Sequence, residues 1–105
     1  MTPLLILTNC PDEASANTIA LALVEEGLAA CVNLLARVQS IYRWQGAIES
    51  SSEIPLLIKS TAATYPALEK RLLELHPYEL PEIIALPITH ALPAYLNWLA
   101  EHTVQ

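Results

Sequence analysis

The side chains in this sequence best able to do chemistry are two thiols, Cys10 and Cys31, three imidazoles and a scatter of carboxylates. Cys10 stands in Asn9-Cys10-Pro11-Asp12-Glu13, between an apolar run and a helical pattern. A thiol at such a junction is acidified by the helix dipole and suits a soft metal such as Cu(I). The same position also suits a small residue at a helix cap. Cys31 lies among Ala and Val and reads as a packing residue. His76 directly precedes Pro77 at the predicted end of a helix. Imidazole there is either a metal ligand that needs partners or a protonatable group favoured by the helix C-terminus. No Cys/His pair has the spacing of a closed zinc site. Glu79 and Glu82 flank Leu80-Pro81, where carboxylates either bind a divalent cation or cap backbone donors. Glu49 and Glu53, with Arg43 and Lys59 near them, read as ion pairs at a subunit boundary.

The elements that must position these groups follow from periodicity. Residues 3–8 form a short apolar run, predicted to be a buried strand. Asn9 or Cys10 is the expected N-cap of a first helix, with Pro11 in its first turn. Ala16, Ile19, Ala20, Leu23 and Val24 recur at helical spacing, and Gly27 stops the helix. Residues 28–44 read as one long strand, apolar at first and then alternating with a period of two. Gln45-Gly46 is a turn, and the chain returns as a strand to Thr61. Pro55 lacks a ladder donor, so a bulge or break is expected near it. A second helix starts at Thr64, with Tyr65, Leu68, Leu72 and Leu75 on one face, and Pro77 ends it. Residues 82–86 read as a strand between Pro81 and Pro87. Pro93 opens a last helix with Tyr95, Trp98 and Leu99 as its packing stripe.

The order β-α-β-β-α-β-α, with right-handed crossovers, is an α+β, ferredoxin-like arrangement in one domain over residues 1–105, plus an extra C-terminal helix. Both main helices are expected on one face of an antiparallel sheet. The long hairpin reaches past the body that such a domain can cover. Its Tyr42 and Trp44 tip is therefore expected to pack on a neighbour. Tyr78, Tyr95 and Trp98 are the other aromatic candidates for a cleft or an interface.

Composition points the same way. Of 105 residues, 53% are apolar and 15% are charged, against about 25% charged in an average soluble domain. So small a domain has too few charges to cover its own surface, which implies burial against further copies of itself. Five Lys and Arg against eleven Asp and Glu give a net charge of −6. That balance argues against nucleic acid and against an anionic membrane surface as partners. Two cysteines make no disulfide framework, and the opening residues lack a basic signal region, so the chain is expected in the cytoplasm with reduced thiols. Enzyme chemistry finds little support. Gly27 and Gly46 are the only glycines, so there is no Gly-rich phosphate loop. An acylphosphatase-like activity on this fold would want Arg in the loop after the first strand, and residues 8–11 contain none. A Cys10–His76 nucleophile pair would need adjacency in space and an oxyanion hole.

An ordered set of segments resembles the CutA family. It comprises Cys10-Pro11-Asp12-Glu13-Ala14, Leu28-Ala29-Ala30-Cys31-Val32-Asn33, Tyr42-Arg43-Trp44-Gln45-Gly46 and Ile58-Lys59-Ser60-Thr61. It continues with His76-Pro77-Tyr78-Glu79-Leu80-Pro81-Glu82-Ile83 and Tyr95-Leu96-Asn97-Trp98-Leu99. The resemblance implies a homotrimer with a ferredoxin-like core, similar in architecture to the PII signalling proteins, and a part in tolerance of divalent cations. It also implies binding of copper or another divalent cation. His76 matches a position that supplies a ligand in copper-binding members. Thr8 and Leu75 stand where such members can carry Cys and a second His, and the resemblance leaves open whether Cys10, two residues past Thr8, serves in that place beside His76. The alternative that the resemblance suggests is a PII-like signalling or scaffold trimer with a small ligand in the cleft between subunits.

Overall fold

A computed structural model of the chain describes residues 1–104. The elements run β1 (Pro3–Cys10), α1 (Glu13–Glu25), β2 (Cys31–Leu34), β3 (Val38–Trp44), β4 (Ala47–Thr61), α2 (Tyr65–Leu75), β5 (Ile84–Pro87) and α3 (Pro93–Glu101). The sheet order is β2-β4-β1-β5, with β3 continuing on the outer part of β4. All its pairings are antiparallel. This is the expected ferredoxin-like topology.

The alternation of side chains along β1 and β4 creates two faces. On one, Ile6 lies opposite Ile58, Thr8 opposite Leu56 and Cys10 opposite Ile54. All six are buried. Helix α1 adds Ala16, Ile19 and Leu23, spaced three and four apart, and α2 adds Leu68 and Leu72 to the same core. On the other face, Leu7 lies between Leu57 and Ile84, and Leu5 between Lys59 and Leu86. Leu5, Leu7 and Leu57 of that row stay outside the buried core cluster and only half-buried, although α3 contacts β4.

Local chemistry explains the ends of α1. The carboxylate of Asp12 accepts the Ser15 N–H at 2.8 Å. That bond satisfies a donor which the first turn leaves free and holds the Asp12 carboxyl below the usual carboxylate range. The N-cap is thus Asp12, not Asn9 or Cys10, because β1 keeps pairing with β4 through Cys10. At the other end the chain turns back through Gly27 at φ +71°, a left-handed conformation that favours glycine.

The long first arm of the hairpin is two strands rather than one. Leu34 pairs with Leu56 but Val38 pairs with Glu53. Residues 35–37 therefore face only residues 54–55, and the extra residue is a bulge. The irregularity expected at Pro55 falls on the strand opposite it. Pro55 still accepts the Leu35 N–H at 3.0 Å, and β4 stays continuous. Beyond the bulge, β3 and β4 form an arm that turns through Gln45 and Gly46, at φ +48° and +82°. Positive φ at both residues matches the tight turn that a twisted hairpin prefers. Strand β5 begins at Ile84, two residues later than expected, and of the α3 stripe only Leu99 is buried.

Replacing Asp12 with Ala is expected to lower stability, because the cap on the Ser15 N–H is lost. Urea unfolding should show this as a lower midpoint at an unchanged slope, and Asp12→Asn should keep most of the cap.

Candidate functional site

Strand β1, the C-terminus of α2 and the root of the arm meet where β1 ends. The parity that buries Ile6 and Thr8 also buries Cys10 completely. Burial, with the negative charges of Asp12 and Glu53 adding to it, pushes the Cys10 thiol up to about 11. The thiol was expected to be acidified by a helix dipole. It is not, because α1 starts beyond it and the side chain faces the core instead of the helix end.

His76 caps the end of α2, where Pro77 prevents another turn. Its Nε2 lies 2.8 Å from the Asn9 carbonyl and its Nδ1 accepts the Tyr78 N–H at 3.2 Å. A carbonyl only accepts, so Nε2 carries the proton and the ring is the neutral tautomer. The ring is tilted against Tyr78, with centroids 4.9 Å apart. It is 7% exposed, and burial moves its pKa below the ordinary value. His76 thus ties α2 and the 77–82 loop to β1, rather than acting as a cation at a helix end.

Glu53 shares the corner and is also 7% exposed. It accepts the Tyr78 hydroxyl at 2.8 Å, which, after burial, helps to push that phenol above its ordinary range. Period-two alternation sets Ser51 on the same face, where it shares a 2.8 Å hydrogen bond with Tyr42. These groups open onto a groove of about 900 Å³ between the arm and the 77–82 loop. Trp44 and Tyr42 line it from the arm, Tyr78, Glu79 and Glu82 from the loop, and Glu53 from its base. Thr8, one step along from Cys10 on the buried face, keeps a hydroxyl with no partner among the described residues.

The structure therefore brings Cys10, His76 and Glu53 into one corner, and Tyr42, Trp44 and Tyr78 into one groove. It separates Tyr95 and Trp98, whose rings pack at a tilt on each other, with Trp98 also packing on His102. Lys59 bonds to Asn33 and lies 3.7 Å from the Cys31 sulfur, on the open face of the sheet. Among the described residues neither Glu49 nor Glu53 takes a cation, and the ion pairs join Arg71 to Glu26 and Glu74. No three His, Cys, Asp or Glu side chains among the described residues converge on a metal position. Both His76 nitrogens are hydrogen-bonded and burial raises the Cys10 thiol, so a metal at this corner would have to displace a hydrogen bond and a proton. The role of Glu53 as a buried carboxylate went unread in the sequence. Its signal was parity with Tyr42 and Ser51, ahead of the apolar run from Ile54.

The family model of the CutA1 divalent ion tolerance protein matches residues 4–102. The chain belongs to the CutA1 divalent ion tolerance family. A divalent-cation tolerance protein CutA from Thermus thermophilus is 51% identical over 98 residues, 93% of this chain and 95% of that protein. Protein CutA from Mus musculus is 47% identical over 90% of this chain, which spans only 53% of the mouse protein. The crystal structure of CutA1 from Oryza sativa superposes with a TM-score of 0.97 at 31% identity, covering 100% of this chain and 96% of that one. Membership in the CutA1 family supports a role in divalent-metal tolerance, and the family's names describe ion tolerance and not a reaction. No helix of the described residues is long and apolar enough to cross a membrane.

Two outcomes test this corner. The native state takes up a proton at His76 less readily than the unfolded chain does, since its pKa lies below 6.5. Its contribution to stability is therefore whole above pH 6.5 and drains as pH falls below that value. Urea midpoints in chelated buffer from pH 8 to 5 should show an acid loss that His76→Gln lacks. Thr8→Val removes an unpartnered buried hydroxyl at nearly constant volume, and should raise stability by about 1 kcal/mol in the same assay.

Proposed function

We propose that the protein is a homotrimeric, non-enzymatic divalent-cation tolerance protein of the cytoplasm that binds copper or a similar metal ion. The observation that carries the quaternary reading is the uncovered second face of the sheet. Leu5, Leu7 and Leu57 are only half-buried there, and Ile84 and Leu86 are exposed. The arm adds Ile41 at 75% and Ile48 at 64% exposure, on a molecule 44 Å long and 25 by 23 Å across. Apolar surface of this extent on a small domain is the mark of an interface, and three copies closing around one another would cover both the sheet and the arm. Cytoplasmic residence agrees with two free cysteines.

His76 and Cys10 are the proposed ligands, and Glu53 is the carboxylate whose charge acts on both. Copper would compete with the Tyr78 N–H for Nδ1 of His76 and with a proton for the Cys10 sulfur. Binding of this kind strengthens as pH rises. Sedimentation at low micromolar concentration should show a trimer; a folded lone subunit would overturn the assembly. Calorimetry with Cu(I) and Cu(II) should show affinity falling in both Cys10→Ser and His76→Ala. Unchanged affinity in both would remove these ligands.

A second reading is favoured by the groove: a PII-like scaffold or signalling trimer that binds a small ligand beside the arm. Its weight rests on the space between Trp44 and Tyr78 and on the polar Glu53–Tyr78 pair that lines it.

A further inference from the structure

We propose that α3 is a hinged lid on the sheet and that residues 103–104 are its latch, a strap closed across the end of α1 and the start of α2. The latch lies where β1 begins and β4 ends, at the opposite end of those strands from the corner of Cys10 and His76. It is independent of the metal and groove readings.

The lid is held by few contacts. Ile88 donates its N–H to the Pro3 carbonyl at 3.0 Å. Residues 89–92 are exposed and irregular, and Pro93 then opens the helix without a side-chain cap. From Thr89 to Thr103, every hydrogen bond among the described residues stays within the segment. Leu99 is the one buried side chain of α3, and it lies outside the main core cluster. A helix of nine residues anchored in this way opens as a unit of its own unless its far end is clasped.

The clasp is built at Val104. Its N–H donates to the Gly27 carbonyl at 2.8 Å, and its carbonyl accepts the Thr64 hydroxyl. Thr64 is 2% exposed and stands at the N-cap of α2, yet its hydroxyl caps no backbone N–H there. That hydroxyl serves the strap instead. It also accepts the Thr61 hydroxyl at 3.0 Å, and Thr61 in turn accepts the Thr64 N–H at 3.2 Å. The buried relay aims one donor at the strap. Gly27 completes the seat, since a Cβ there would stand 2.9 Å from Cγ1 of Val104, closer than packed carbons approach. The Thr103 hydroxyl donates to the Leu99 carbonyl at 3.1 Å, which joins the strap to the last turn of α3 without slack. Beneath the lid, α3 contacts β4. Burial and then the charge of the Cys31 sulfur raise the Tyr95 phenol above its ordinary pKa, so α3 lies over the end of the sheet that carries Cys31.

Hydrogen exchange on the full chain tests the latch. The amides of α3 and Val104 should exchange together, and faster than those of β1 and β4. Thr64→Val keeps the side-chain shape and removes the donor. Exchange through α3 should then quicken about fivefold or more, with β1 and β4 unchanged, and Thr64→Ser should restore the native rate. Val104→Pro removes the other bond at a half-exposed position outside the core, and should act as Thr64→Val does. The two cysteines give a second readout, because Cys10 is fully buried in the core and Cys31 is not. A thiol reagent should label Cys31 faster in both variants and leave Cys10 at its native rate. Exchange of α3 as slow as that of β4 in the unaltered chain, a change confined to residue 104, or unaltered Cys31 labelling in both variants would overturn the proposal. Equal loosening of α3 and the core would overturn it too, since that marks a general loss of stability and not a lid.

Discussion

The pairing of β1 with β4 in one register is the constraint on which the rest of this molecule depends. Ile6 opposite Ile58 and Cys10 opposite Ile54 put one row of side chains under the helices. A slip of β1 by one residue would send Ile6, Thr8 and Cys10 to the other face and bring Leu5 and Leu7 inward. Each fully buried Ile or Leu in this layer is worth about 1.5–3 kcal/mol. The exposed Arg71–Glu26 pair, at 2.9 Å, is screened by water and contributes little beside that. Burial therefore sets the register, and the surface charges follow it.

The same parity builds the site. Because Cys10 continues the buried row, its thiol is protonated and enclosed. Because Glu53 continues the row that carries Ser51 and Tyr42, a carboxylate is drawn under the root of the arm. His76 then fixes the third wall through the Asn9 carbonyl and the Tyr78 N–H. A ring with both nitrogens engaged is a strut, and any role as a ligand has to displace one of those bonds. The corner is better organised to hold the 77–82 loop against β1 than to hold an ion in a single chain.

Both larger proposals arise from what the fold leaves open. The bare face of the sheet and the projecting arm are apolar surface without a cover, and a second and third copy are the simplest cover. The groove beside the arm is lined by Tyr42, Trp44 and Tyr78, with Glu53 held by the Tyr78 hydroxyl. Family membership ties the chain to divalent-cation tolerance, and these two features are specific to its own residues.

Much of the fold was legible in the sequence. Helical spacing marked Ala16, Ile19 and Leu23, and Leu68 and Leu72. Pro77, Gly27 and Gln45-Gly46 marked ends and turns, since each restricts or frees the backbone locally. Charge deficit marked an uncovered surface. The sequence by itself could not place the bulge at residues 35–37, because a bulge depends on the register of the facing strand. It misjudged Cys10 for the same reason: whether a thiol meets a helix dipole or a core is set by how far β1 stays paired, and only the assembled sheet decides that. Local periodicity determined which residues turn inward. Tertiary structure alone determined which of those inward groups share a wall, because contacts between Asn9 and His76, or Glu53 and Tyr78, span distances in sequence that no local pattern encodes.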